Sequence, residues 1–339
     1  MHAGRKYKVF EVFLWTRREL LAITLTSTFP VVLFAVFGMT WLTIPWLPMA
    51  LVGTAVAFVV GFKNNASYDR LWEGRQIWGG IVNTSRTWGI MAKDFVTNKY
   101  AAVPLSDDDL HAIHTRLVYR HIAWLTALRF QLRQPRAWEN LNKVYNLEYR
   151  QAYSIPEHEN KLEDELAKVL SKEDLAYLSG KANGAAQLIS LQSQDLNLLN
   201  TKGYLDDFRH MEMQNLLKDL YEHQGKCERI KNFPYPRQFA TLNLYFIKIF
   251  IILLPFGMMA EFEKLGEHFV WFSIPFSTLV GWIFHTMEKI GEATENPFEG
   301  TANDVPMTAL SRTIEIDLRE MLNETNLPPK IEPVNNILM

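Results

Sequence analysis

The chain has 339 residues, with 35 Lys and Arg against 37 Asp and Glu and a single cysteine, Cys227. That length accommodates more than one domain, the balanced charge does not suggest a nucleic-acid partner, and one cysteine excludes a disulfide framework or a cysteine-rich metal site. Mean hydropathy is -0.08, an average that conceals segregation: charge gathers in the middle and at the ends, and two long blocks almost lack it.

Residues 1–19 carry Arg5, Lys6, Lys8, Arg17 and Arg18 and read as a cytoplasmic N-terminal segment. From Leu20 to Gly61 there is no charged side chain. A run of that length exceeds the roughly 20 apolar residues of one bilayer span, and the prolines of "TIPWLP" (Thr43 to Pro48) interrupt it. It therefore reads as a transmembrane hairpin over 20–66, with spans near 20–40 and 47–66. A signal peptide is excluded by the long N-region, the missing small-residue cleavage site and the second span that follows at once. Leu51 to Tyr100 contains no proline, so the second span is expected to continue as helix beyond the membrane.

Residues 67–236 read as a helical cytoplasmic region. Ser171 with Glu173 and Asp174 makes a helix start. Leu188, Leu191, Gln192 and Asp195 fall at helical spacing, as do Phe208, Met211, Leu216 and Leu220. The second apolar block, Phe239 to Phe284, is divided by "EFEKLGEH" and gives a second hairpin over 237–287, with spans near 237–259 and 269–287. Residues 288–339 form a C-terminal helix and tail: Asn303 or Asp304 is the expected cap with Pro306 in the first turn, and the proline-rich end is expected to be extended, as a tail or as an arm lying on another surface. Basic residues flank the spans at the termini and the middle region, while the two hairpin loops hold only Lys264. Both termini and the middle region are therefore expected on the cytoplasmic side.

The candidate sites follow from spacing. Thr54, Phe58 and Phe62 share one helical face, either as a packing stripe or as a narrow apolar neck able to dewet a passage. Lys248 is the only charged residue in the second block before Glu261, about 17 Å along a helix from Arg237; it either faces a water-filled vestibule or snorkels. Glu288, Glu292, Glu295, Asn296 and Asp304 follow the last span, but a dense acidic run suited to calcium is lacking. No metal spacing, P-loop, GxSxG or GxGxxG motif occurs, so no enzyme reading has a site.

"GFKNNASYDRLWEGRQIWGGIVNTSR" (Gly61 to Arg86), "CERIKNFPYP" (Cys227 to Pro236) and "ENPFEGTANDVPM" (Glu295 to Met307) stand in the order and spacing of the bestrophin family, and in this respect the chain resembles its bacterial and plastid branch over nearly its whole length. The resemblance implies an all-α integral membrane subunit, four transmembrane helices continuing into a large helical cytoplasmic region, and a homopentamer around a central pore. It assigns the pore neck to Thr54, Phe58 and Phe62, with Thr54 departing from the usual larger apolar residue, and a cytoplasmic constriction to Met211. In eukaryotic members a calcium clasp is built around the NPF segment; its counterparts here are Asn296 and Asp304, but most of the acidic run is missing, so calcium dependence is doubtful and no cofactor is required.

The implied function is passive conduction of small monovalent ions across a bacterial inner membrane. Anions are slightly favoured because Phe ring edges carry the positive part of the quadrupole, with monovalent-cation selectivity as the alternative within the family. A membrane-anchored scaffold is the alternative of another class. Lys63 and Asp69 are expected to oppose each other near the inner mouth, while Arg70, Glu73 and Arg75 pair, and Tyr68, Trp72 and Trp78 pack between helices.

Overall fold

The structure, a computed structural model, describes residues 1–339. It consists of helices α1 (Val9–Phe37), α2 (Trp46–Phe95), α3 (Asp107–Arg133), α4 (Val144–Tyr149), α5 (Pro156–Glu159), α6 (Leu162–Leu166), α7 (Lys172–Leu178), α8 (Gly184–Thr201), α9 (Asp207–Asn232), α10 (Arg237–Glu263), α11 (Ser273–Thr294) and α12 (Met307–Met321). There is no β-strand, only isolated bridges. Four helical segments are long and apolar enough to cross a membrane: Val9–Phe37, Thr40–Phe95, Arg237–Glu263 and Glu267–Thr294.

The chain divides into two compact units. One comprises Gly4–Arg70 and Pro234–Glu295, that is α1, the first half of α2, α10 and α11. Helix α1 begins at Val9, ahead of the uncharged run, so Arg17, Arg18 and Glu19 lie within it. Pro30 and Pro255 sit inside α1 and α10, which apolar helices tolerate when neighbouring groups re-satisfy the freed carbonyls. Ile23, Met49, Val56, Val60, Ile247, Phe250, Ile251 and Leu254 form the unit's main apolar cluster. Small residues let the helices approach: a Cβ on Gly53 would stand 2.9 Å from the Phe250 ring.

The other unit comprises Met1–Ala3, Leu71–Phe233 and Asn296–Met339. Helix α3 is its centre, buried from Leu117 through Leu132 along several faces, as expected for a helix surrounded by others. Its own Trp124 is fully buried, as are Trp78 and Trp88 of α2. The Trp88 indole N–H donates to the Leu117 carbonyl at 3.2 Å, and that of Trp124 to Gln224 at 3.0 Å. Arg120 donates to both Asp174 and Asp195. Helix starts carry side-chain caps: Ser106, Ser171, Asn183 and Asp206 each accept from a backbone N–H of the first turn.

One sequence expectation about the C-terminal segment changes. Pro306, not Asn303 or Asp304, occupies the position before α12; the Asp304 carboxylate turns back and accepts from the Gly300 and Thr301 N–H groups at 2.6 and 3.0 Å. The extended tail lies on its own unit: the Ala309 N–H donates to the Met339 carbonyl at 2.7 Å, and Ile337 and Met339 are buried with Ile155 and Ala302.

Candidate functional site

Helix α2 is two-faced. Val56, Val60, Lys63 and Ser67, spaced by four, three and four, are buried. On the opposite side Leu51, Thr54, Phe58, Phe62, Asn65 and Asp69 are exposed, Phe58 at 65% and Phe62 at 71%. Both spacings follow the 3.6-residue period, which places one set on a packed face and the other on an open face of the same rod. The Thr54 hydroxyl donates to the Ala50 carbonyl at 2.9 Å, so its donor is satisfied within the helix. Gly61 stands between the two Phe positions with open space where a Cβ would go. Packing does not require a glycine there, and it costs about 1 kcal/mol of helix propensity relative to Ala.

Lys63 does not stand at the mouth of this face. It is 3% exposed and ion-paired with the buried Glu288 carboxylate of α11. The other Glu288 oxygen accepts from Asn243 at 2.7 Å. A buried ammonium needs a partner of this kind, and the turn of the helix at position 63 points inward. The exposed stripe therefore carries no formal charge from Leu51 to Asn65, and its first charge is Asp69.

Further along α2 the sequence expectation holds for Trp78, which is buried, and not for Tyr68 and Trp72, which are 59% and 51% exposed. These two continue the periodicity of Phe58, Phe62 and Asn65 and belong to the open stripe. The signal was present in the spacing, but large aromatic side chains outside an apolar run read as packing residues. Glu73 pairs with Arg229 of α9, and the Arg70 Nε donates to the Glu295 carbonyl at 2.9 Å. Arg75 is exposed and forms no ion pair.

Met211 is exposed on α9 beside the more exposed Phe208. It belongs to a different compact unit from Thr54, Phe58 and Phe62, so no common geometry links it to them. Lys248 is exposed on α10 together with Tyr245, Ile249 and Ile252, opposite the buried Asn243, Ile247, Phe250 and Leu254.

Asn296 and Asp304 are both buried. Asp304 accepts from Gly300 N, Thr301 N and, at 2.5 Å, the Thr301 hydroxyl, while an Arg133 nitrogen stands 3.7 Å away. The Asn296 amide donates towards Glu299 at 3.4 Å. Burial pushes the Glu299 carboxyl well above its usual range, with Asp304 adding to it, and burial also raises Asp304. Calcium takes six to eight oxygen ligands. Here one carboxylate is consumed by its own loop, the nearest cation is a guanidinium, and burial disfavours the charged form of the second carboxyl. This donor set does not suit a calcium ion.

Four apolar spans, a continuous two-faced helix and an uncharged open stripe define an integral-membrane helical protein with a candidate pore-lining surface. The profile of the bacterial and fungal bestrophin proteins matches residues 11–320, and the chain belongs to that family. It is 27% identical over 331 residues to the voltage-dependent anion channel-forming protein YneE of Escherichia coli K12, covering 95% of this chain and 94% of that one. A protein of the same general name from Ralstonia nicotianae is 27% identical over 281 residues, 83% of this chain and 78% of the relative. The crystal structure of a bacterial bestrophin homologue from Klebsiella pneumoniae superimposes with a TM-score of 0.74 at 23% identity, covering 91% of this chain and 98% of that one. The fold is thus the bestrophin fold.

Proposed function

We propose that this protein is the subunit of a homopentameric channel of the bacterial inner membrane, passing small monovalent anions passively, with both termini on the cytoplasmic side. The observation that carries the reading is the face of α2 that bears Thr54, Phe58 and Phe62: an uncharged stripe with two large apolar side chains left uncovered on a helix whose other face is tightly packed. Around a symmetry axis such stripes would form successive apolar rings, a constriction that gates by dewetting. The names of the relatives support the choice of anions. Phe ring edges, positive in the aromatic quadrupole, supply the local chemistry. Met211 would form a second ring in the other unit, and Lys248 would act as a cation near an aqueous vestibule.

A monovalent-cation reading has one observation in its favour: Lys63 is withdrawn and paired, and Asp69 is the first charge on the open stripe. The two readings separate on Asp69→Asn. Under the anion reading the substitution moves the reversal potential little; under the cation reading it erodes cation preference. The channel reading itself is tested by reconstituting the purified protein, its pentameric mass verified in detergent, into planar bilayers. Single-channel currents altered by Phe58→Ala and Phe62→Ala support it, and a pentamer that passes no ions contradicts it.

A further inference from the structure

The loop that follows α3 folds with α4 and α5 into an open cleft of about 290 Å³, lined by Pro135, Arg136, Glu139, Asn142, Arg150 and His158 among others. It belongs wholly to the unit that holds α3 to α9. Its charge balance is unusual. Glu139 is the only carboxylate in the lining, and it is spent: one oxygen pairs with the buried Lys231 ammonium and the other accepts from the Arg136 backbone N–H at 2.9 Å. Arg150 has no carboxylate within ion-pair distance. Arg136 has none either; one terminal nitrogen is held by the Asn232 side chain at 2.9 Å, and its Nε is buried without a hydrogen-bond partner. Arg136, held through Asn232, and Arg150, without a carboxylate partner, therefore line a cleft whose only carboxylate is already neutralised. Guanidinium forks match oxyanions bidentately.

His158 adds selectivity among oxyanions. Its Nε2 lies 3.2 Å from the Arg133 carbonyl. A carbonyl only accepts, so Nε2 carries the proton and Nδ1 is the ring's remaining polar atom, an acceptor. Burial, and the nearby Arg150 and Arg133 charges partly offset by Glu157, hold the imidazole below the usual histidine range. A neutral acceptor beside two cations suits an oxyanion that itself carries an O–H. Inorganic hydrogen phosphate carries one near neutral pH, whereas a phosphomonoester, with a second pKa of about 6, has mostly lost its own, and sulfate and ionised carboxylates have none.

We propose that this cleft binds inorganic phosphate through Arg136 and Arg150, with His158 Nδ1 accepting a hydrogen bond from the phosphate O–H. The site is independent of the ion that the pore passes, so its test does not depend on channel activity. Full-length protein in detergent is titrated with inorganic phosphate, glycerol phosphate, sulfate and succinate, following thermal unfolding and the modification of arginines by phenylglyoxal mapped by mass spectrometry. Phosphate is expected to raise the unfolding temperature and to shield Arg136 and Arg150 specifically. Sulfate and succinate are expected to bind at least roughly tenfold more weakly, because the imidazole acceptor is left without a donor. Arg150→Gln should weaken phosphate binding by roughly tenfold or more, a charge-assisted pair being lost, while Lys172→Gln, an exposed charge on α7, should leave it unchanged. Glycerol phosphate, mostly without an O–H on its phosphate group at neutral pH, is expected to bind more weakly than inorganic phosphate, and a larger response to it overturns the role given to His158. The arginine-protection measurement on the unmodified sequence decides the matter even if a variant fails to fold. Absence of protection at millimolar phosphate, or sulfate binding as tightly as phosphate, overturns the proposal.

Discussion

The pair formed by Lys63 and Glu288 concentrates several physical demands at one point. Both side chains are nearly inaccessible, and Asn243 supplies a further hydrogen bond to the carboxylate. Removing one partner leaves an uncompensated buried charge. Lys63→Met is therefore expected to destabilise the membrane unit by about 3–5 kcal/mol, and Lys63→Met with Glu288→Met to recover much of that loss, as read from unfolding in detergent. If the single variant is as stable as the wild type, the pair is not buried as described. Gly61 makes a second residue-scale prediction. Its site is open, so Gly61→Ala should leave the fold intact or stabilise the helix by about 1 kcal/mol. The extra methyl beside Phe58 and Phe62 should still change channel open probability in single-channel records. His121 makes a third. It is fully buried between Trp88 and Trp124, with Nε2 2.9 Å from the Ser85 hydroxyl, and burial lowers its pKa to about 3. The unfolded chain takes up a proton near pH 6.5 and the folded chain does not. The stability this group contributes is complete above that pH and is lost as pH falls from 6.5 towards 3, at about 1.4 kcal/mol per unit. Thermal unfolding measured from pH 7.5 to 5 should show that slope, reduced in His121→Gln.

At the scale of elements, α2 decides the architecture. Its 50 residues amount to about 75 Å of continuous helix. That continuity was legible in the sequence, because nothing between Leu51 and Tyr100 breaks a helix. The spacing of Thr54, Phe58 and Phe62 was legible too, as a shared face. What spacing could not tell was which face would be packed. Lys63 reads as a charge at a membrane boundary, and only the fold brings in Glu288, 225 residues away. For the same reason Tyr68 and Trp72 read as core residues: aromatic size argues for burial, and the helical register that leaves them open is set by contacts on the opposite side. Asp304 fell to a different competition, since a side chain suited to cap α12 instead satisfies the N–H groups of its own loop. Close helix approach in the membrane unit gives an element-scale prediction. A Cβ on Gly291 of α11 would lie 2.2 Å from the Asn64 side-chain oxygen of α2, so Gly291→Leu should lower the unfolding temperature and the yield of assembled protein. An unchanged yield and stability would contradict this helix pairing.

At the scale of the whole molecule, family membership and the uncharged stripe support the proposed account, in which the subunit is incomplete alone and presents Thr54, Phe58 and Phe62 to an axis shared with other copies. The direct test is the reversal potential of the reconstituted pentamer under a potassium chloride gradient. The account predicts a reversal near the chloride equilibrium potential, with conductance raised when Phe58 and Phe62 are replaced by Ala. A reversal near the potassium equilibrium potential would contradict anion selectivity, and verified pentamers that carry no current would contradict the channel itself.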